Sequence, residues 1–198
     1  MSSGPPPRSL IVVTRNPHKL DELAQILAGF ELLPLPDHVV LPPEDGETFA
    51  ENALGKARAG HEQTGAAVLA DDSGIAAAAL GGRPGVRSAR YAGLDATAEE
   101  NLHLLLEELN GQADRSVAYV CAIALVRADG SEIVREARCE GFLAAEPRGT
   151  RGFGYDPAFL PAAIPDGRTM AELSPAEKHS ISHRGQAARA IAAALEDA

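Results

Sequence analysis

Capping boxes are the feature that most narrows how this chain can fold. Thr48 with Glu51, Thr97 with Glu100 and Ser174 with Glu177 each set a hydroxyl three positions ahead of a carboxylate. That spacing satisfies orphan N–H groups at a helix start from both ends of the first turn, so each pair marks where a helix begins. A further start is expected at Asn16, a favoured N-cap, with Pro17 at the first helical position. Leu20, Leu23 and Leu27 then share one face, and Gly29 is the expected stop.

Short apolar runs lie between these starts. Leu10-Ile11-Val12-Val13 and Ala67-Val68-Leu69-Ala70 suit strands buried on both faces, the second ending abruptly at Asp71-Asp72-Ser73-Gly74. Pro34, Pro36, Pro42 and Pro43 mark a loop-rich or edge-strand stretch, and Gly81-Gly82-Arg83-Pro84-Gly85 reads as a loop. Over residues 117–126, Val117, Tyr119, Cys121, Ile123 and Leu125 alternate with mostly smaller residues, after which Asp129-Gly130 turns the chain into a hairpin partner from Ile133. Interleaved helices and strands with one hairpin predict an α/β fold with a mixed sheet. No repeat or linker divides the chain, so residues 9–198 are expected to form a single domain. Residues 1–8, with three consecutive prolines, read as a disordered leader.

Charge and composition exclude several functions. A formal net charge of -10 opposes broad nucleic-acid binding, which needs a basic surface to release counterions. No run of 18 apolar residues offers a membrane span, and residues 1–8 lack the apolar stretch expected of a secretory signal. Cys121 and Cys139 lack metal-ligand spacing and are expected as free, buried thiols in a cytoplasmic protein.

Five places could carry chemistry. Thr14, Arg15, Asn16, Pro17, His18 and Lys19 sit between a buried strand and a helix N-terminus, where amides, the helix dipole and an ammonium suit a phosphate. A simple cap with a solvated Lys19 accounts for the same residues. Asp71 and Asp72 at a strand exit suit Mg2+ or a general base, and equally an exposed turn. Glu44, Asp45 and Glu47 form an acidic loop ahead of a helix bearing Lys56. Gly152-Phe153-Gly154-Tyr155-Asp156-Pro157 could stack on a planar base, or pin a loop to the core. Lys178, His183 and Arg184 lie too far apart for one helix face, so a helix break is expected near Ser182.

Taken in order, these pieces resemble the inosine/xanthosine triphosphate pyrophosphatases, the Ham1-like family. The resembling motifs fall at residues 14–19, 48–53, 70–74, 81–91, 152–157, 172–178 and 182–184. Any one is weak; seven in register are specific. Two positions depart from the family pattern: Arg15 stands where Gly is usual, and Ala78 where many members have Asp.

The resemblance implies a long central mixed sheet flanked by helices, in two lobes with an active-site cleft between them, and a homodimer. It implies that non-standard purine nucleoside triphosphates (ITP, dITP, XTP) are hydrolysed to the monophosphate and pyrophosphate with Mg2+ as cofactor. On that pattern Thr14, Asn16, Lys19 and Lys56 hold the triphosphate; Arg15, which departs from the pattern, could add a phosphate contact of its own. Glu44, Asp71 and Asp72 hold the metal, Asp72 activates water, and Ser73 contacts substrate. Phe153 and Tyr155 flank the purine across Gly154, Asp156 reaches its edge, and Lys178, His183 and Arg184 donate to the 6-oxo group. A magnesium phosphohydrolase without base selection, or a non-catalytic nucleotide-binding module, are the competing classes. The first makes no use of Phe153 or Arg184, and the second has no need of paired carboxylates.

Overall fold

The structure, a computed structural model, describes residues 8–196, with side chains from 9 to 195. The leader expected over 1–8 therefore lies outside the described residues except for Arg8, which opens the first strand. That strand, β1 (Arg8–Val12), leads through the Asn16 cap into α1 (Pro17–Ile26). Asn16 accepts from the His18 N–H as expected, but the helix ends at the Leu27 cap, whose N–H bonds Leu23 O, rather than at Gly29. The proline-marked stretch supplies β2 (Phe30–Pro34), which pairs in parallel with β1 at the sheet edge, where Pro34 costs no central ladder bond.

Thr48 and Thr97 cap α2 (Phe49–Thr64) and α3 (Ala98–Glu108) with both halves of the capping box formed. Strand β3 (Val68–Ala77) lies between them, followed by short 3-10 turns at Ala78–Leu80 and Gly85–Arg90. β4 (Ser116–Val126) and β5 (Glu132–Leu143) form the hairpin about Asp129-Gly130, closed by Arg127 N–H to Ser131 O. β6 (Phe159–Pro161), α4 (Pro175–Ile181) and α5 (His183–Glu196) complete the chain. One further capping box, Thr169 with Glu172, opens only a three-residue 3-10 turn (Met170–Glu172), because Leu173 returns to extended backbone.

Among the described residues six strands form one mixed sheet in the order β2-β1-β3-β4-β5-β6. β1 is parallel to β2 and β3, and β5 is antiparallel to β6. The α/β expectation holds. By contact density the chain divides into two compact units, one of Met1–Asp72, Ala122–Glu136 and Ala187–Ala198, the other of Ser73–Cys121 and Ala137–Gln186. No helix among the described residues is long and apolar enough to cross a membrane.

The first unit buries Leu10, Val12 and Val13 of the β1 region with Leu23 and Leu27 of the α1 face. The second has a core of Ile75, Leu102, Leu105, Leu109, Val117, Leu143, Phe159 and Met170, among others. A fully buried side chain of this size contributes about 1.5–3 kcal/mol. β4 is buried at every position after Ser116, so its large-small alternation does not mark a wet face. Cys121 and Cys139 are free and buried, and burial pushes the Cys139 thiol up to about 11.

Candidate active site

The acidic pair does not end its strand. β3 runs on to Ala77, placing Asp71 and Asp72 in mid-strand, 1% and 6% exposed. Burying ionised carboxylates costs several kcal/mol unless each is paired, which is why two adjacent aspartates suggest a strand end. Here each has its own cation. Successive strand residues point to opposite faces, so the partners come from different helices. Lys19, in the first turn of α1, places Nζ 3.2 Å from Asp71 Oδ2, and Lys56 of α2 places Nζ 3.2 Å from Asp72 Oδ1.

Lys56 also meets Glu44 Oε1 at 2.5 Å, so one buried ammonium bridges two carboxylates. Asn52 stands one helical turn before Lys56. Its Nδ2 donates to Asp72 Oδ2 at 3.1 Å and its Oδ1 accepts from Gly46 N–H at 2.9 Å, tying the acidic loop to the strand. Burial pushes the Asp72 carboxyl up, assisted by the Glu44 charge and opposed by Lys56 and Lys19. Burial by itself would lower Lys56, but Asp72, Asp71 and Glu44 outweigh it and hold the ammonium above its ordinary value. Both shifts describe one coupled cluster: three carboxylates against two ammonium groups leave a formal charge of about −1.

All the anionic donors in this cluster are carboxylate oxygens, the chemistry that suits Mg2+. Among the described residues no three His, Cys, Asp or Glu side chains are gathered tightly enough to hold a metal alone. A Mg2+ ion at this cluster would have to take most of its ligands from phosphate and water.

In the loop before α1, two amides are already committed. Asn16 N–H donates to Thr14 Oγ1 at 3.1 Å and His18 N–H to Asn16 Oδ1 at 3.0 Å. Pro17 has no N–H, and both Pro17 and His18 are exposed, so Lys19 is the loop's main electrostatic asset for a phosphate. Arg15 needs no positive φ. Its guanidinium donates to the carbonyls of Leu35, Pro36, Asp37 and Val39 at 3.1, 3.0, 3.3 and 2.9 Å. The phosphate contact expected of Arg15 is thus replaced by a clamp on the following loop. Ala78 is exposed at the first residue of its 3-10 turn.

The second unit gathers the other expected residues. The helix break near Ser182 is present: Ser182 adopts φ −66°, ψ 150° between α4 and α5. A Cβ at Gly185 would collide with His179 O, so only glycine lets α5 start this close to the end of α4. Lys178, His183 and Arg184 are each at most 7% exposed. Lys178 Nζ lies 5.1 Å and Arg184 Cζ 5.7 Å from the centre of the Phe153 ring, which is partly exposed. Arg184 Nη2 donates to Ser73 Oγ at 2.8 Å, and Ser73 directly follows Asp72 in β3. Gly74 closes the motif for a steric reason: its Cβ would overlap Ser88 Oγ, which accepts the Ile75 N–H.

Two expectations for the aromatic loop change. Tyr155 is not presented beside Phe153 to flank a purine; it belongs to the core of the second unit, with its hydroxyl donating to Ser88 O at 2.8 Å. Burial pushes its phenol well above the ordinary value. Gly154, between the two aromatics, adopts φ +63°, which lets Phe153 and Tyr155 take such different environments. Asp156 is 3% exposed and spent on protein donors rather than on a base edge. It accepts from Phe153 N–H at 2.9 Å, Lys178 Nζ at 2.7 Å and the Tyr119 hydroxyl at 3.0 Å. Asn52, Ser88 and Tyr119 are the residues that sequence reasoning missed. Asn52 and Ser88 lie within the motifs at residues 48–53 and 81–91 without a role assigned to them, and Asn52 also stands four residues from Lys56 on one helix face.

Comparison with known proteins adds a family. A model described as "Ham1 family" matches residues 10–194. Among curated relatives, the dITP/XTP pyrophosphatase of Mycobacterium tuberculosis is 48% identical over 195 residues, covering 94% of each chain. That of Cutibacterium acnes is 45% identical over 194 residues, covering 94% of this chain and 95% of its own. A solved HAM1 protein from Coxiella burnetii superposes with a TM-score of 0.85 at 42% identity, covering 96% of this chain and 100% of its own.

Proposed function

The chain belongs to the Ham1 family, and from that premise we propose that it hydrolyses inosine, deoxyinosine and xanthosine triphosphates to the monophosphate and pyrophosphate. The names its relatives carry support the reaction. The observation that carries base selection is the cation pair, Lys178 and Arg184, set over Phe153, with Arg184 anchored on Ser73, the residue after the proposed base.

Lys19 and Lys56 bind the triphosphate, exchanging part of their carboxylate contacts for phosphate oxygens. Asp72 takes a proton from the attacking water as that oxygen bonds to the α-phosphorus. The bond from the α-phosphorus to the bridging oxygen breaks, and pyrophosphate leaves with its electron pair. In the protein alone, burial raises the Asp72 pKa, so this carboxyl holds a proton more tightly than an ordinary aspartate. Asn52 and Lys56 orient it through separate oxygens. A bound Mg2+, to which Glu44, Asp71 and Asp72 would offer carboxylate oxygens alongside phosphate and water, would offset charge building on the phosphate oxygens.

Phe153 offers a face to the purine, and Lys178, His183 and Arg184 supply donors to its 6-oxo group. Adenine presents an amine there, leaving buried donors unpaired, a mismatch able to reject a substrate by roughly 10⁴. Pyrophosphate release from inosine, xanthosine, adenosine and guanosine triphosphates, each with Mg2+ and with EDTA, tests the reading. Equal rates on inosine and adenosine substrates refute base selection, and full activity in EDTA refutes the metal. The homodimer implied by resemblance is checked by sedimentation equilibrium, where a monomer at working concentration would remove it.

A further inference from the structure

Tyr119, in β4, belongs to neither the phosphate cluster nor the expected base contacts, yet three groups of the base pocket depend on it. Its ring stacks on His183, with centroids 4.6 Å apart and planes 13° apart, and on Phe159, at 4.4 Å and 29°. Phe159 is fully buried and Tyr119 is 5% exposed, so the stack is seated in the core of the second unit. The Tyr119 hydroxyl donates to Asp156 Oδ1 at 3.0 Å. The other oxygen of that carboxylate holds Lys178 Nζ at 2.7 Å and the Phe153 N–H at 2.9 Å.

One side chain therefore packs on the His183 imidazole and occupies the Asp156 oxygen opposite the one that holds Lys178 and the Phe153 loop. Turning that carboxylate would swing Oδ2 away from both Lys178 and the backbone of the Phe153 loop. Pre-organised donors are effective only when held within a fraction of an ångström of their target. We propose that Tyr119 is a positioning residue for base selection, holding His183 through its ring and Lys178 through Asp156. This rests on the pyrophosphatase reading above. A substrate that uses those donors loses binding when they drift, while adenosine triphosphate, which cannot use them, loses little.

The test compares wild type, Tyr119→Phe and Tyr119→Leu by kcat/KM on inosine and adenosine triphosphates, with thermal midpoints alongside. Tyr119→Phe keeps the stack and removes one bond to a charged acceptor. A bond of that kind corresponds to roughly 10- to 150-fold when made directly to substrate, and acting through Asp156 it is expected to give roughly 3- to 10-fold, mostly in KM. Tyr119→Leu also removes the stack and is expected to cost roughly 10- to 100-fold on inosine triphosphate. The adenosine value should move less than about 2-fold in both variants, because no donor contact to adenine is lost. A merely structural role lowers the midpoint and both substrates in parallel. Parallel losses, or an unchanged substrate ratio, overturn the proposal, and Tyr119→Phe decides alone if the leucine variant does not fold. A wild-type protein without activity on inosine triphosphate overturns the functional reading, and this role with it. An active wild type with unchanged variants overturns only the role of Tyr119.

Discussion

Replacing Lys56 with methionine tests the electrostatics of the acidic cluster most directly. Methionine fills much of the lysine stem but leaves Glu44 and Asp72 without their shared ammonium. Removing one partner of a buried pair costs about 3–5 kcal/mol. The Glu44 side chain is 34% exposed and can return to water, whereas the Asp72 side chain is 8% exposed and cannot. Discounting the Glu44 share for solvent screening leaves about 2–4 kcal/mol, carried mainly by Asp72.

The cost must depend on pH. Burial already raises the Asp72 pKa, and losing Lys56 removes the foremost of the two ammonium charges that oppose the rise. A carboxyl whose folded pKa lies above its unfolded value binds its proton more tightly in the folded state. Stability is therefore lost as pH rises from the unfolded value through the folded one, and regained below. Each unit by which the pKa climbs further is worth about 1.4 kcal/mol. Urea unfolding of Lys56→Met and wild type at pH 5.5 and pH 8 should show a larger deficit at pH 8, and the acid limb of any residual activity should move to higher pH. A deficit under about 1 kcal/mol at pH 8, or one equal at both pH values, refutes the coupling of Lys56 to Asp72.

Other substitutions separate the remaining roles. Asp72→Asn retains the shape and should cut turnover by at least roughly 10²-fold with folding intact, so near-normal turnover of the purified variant removes Asp72 as base. Arg184→Ala should lower kcat/KM on inosine triphosphate by about 10- to 150-fold and change adenosine triphosphate far less, while equal losses assign Arg184 to phosphate or to Ser73 alone. Arg15→Gly removes four carbonyl contacts from a partly exposed clamp and should cost about 1–3 kcal/mol of stability, with triphosphate affinity within a few-fold. A tenfold loss of affinity at unchanged stability would restore the phosphate role of Arg15.

Local signals were legible wherever the physics is local. The caps at Asn16, Thr48, Thr97 and Ser174, the turn at Asp129-Gly130 and the break at Ser182 each depend on a few neighbouring residues, and each stands where those residues predict. The same rule misled at Asp71 and Asp72. A chain read one residue at a time shows two charges that end a strand, and only Lys19 and Lys56, arriving from two helices, make their burial tolerable.

What sequence alone determined is the order of the elements, their starts, and which residue types stand ready for phosphate, metal and base chemistry, because capping and periodicity are short-range. Tertiary structure decided what those side chains do. It turned Tyr155 into the core, committed Asp156 to three protein donors, gave Arg15 a loop to clamp, and brought Ser73 to Arg184 across 111 positions of chain. Distances between residues far apart in sequence follow from packing. A buried polar group takes whichever partner packing brings within reach, and so its role is set by the fold rather than by its motif.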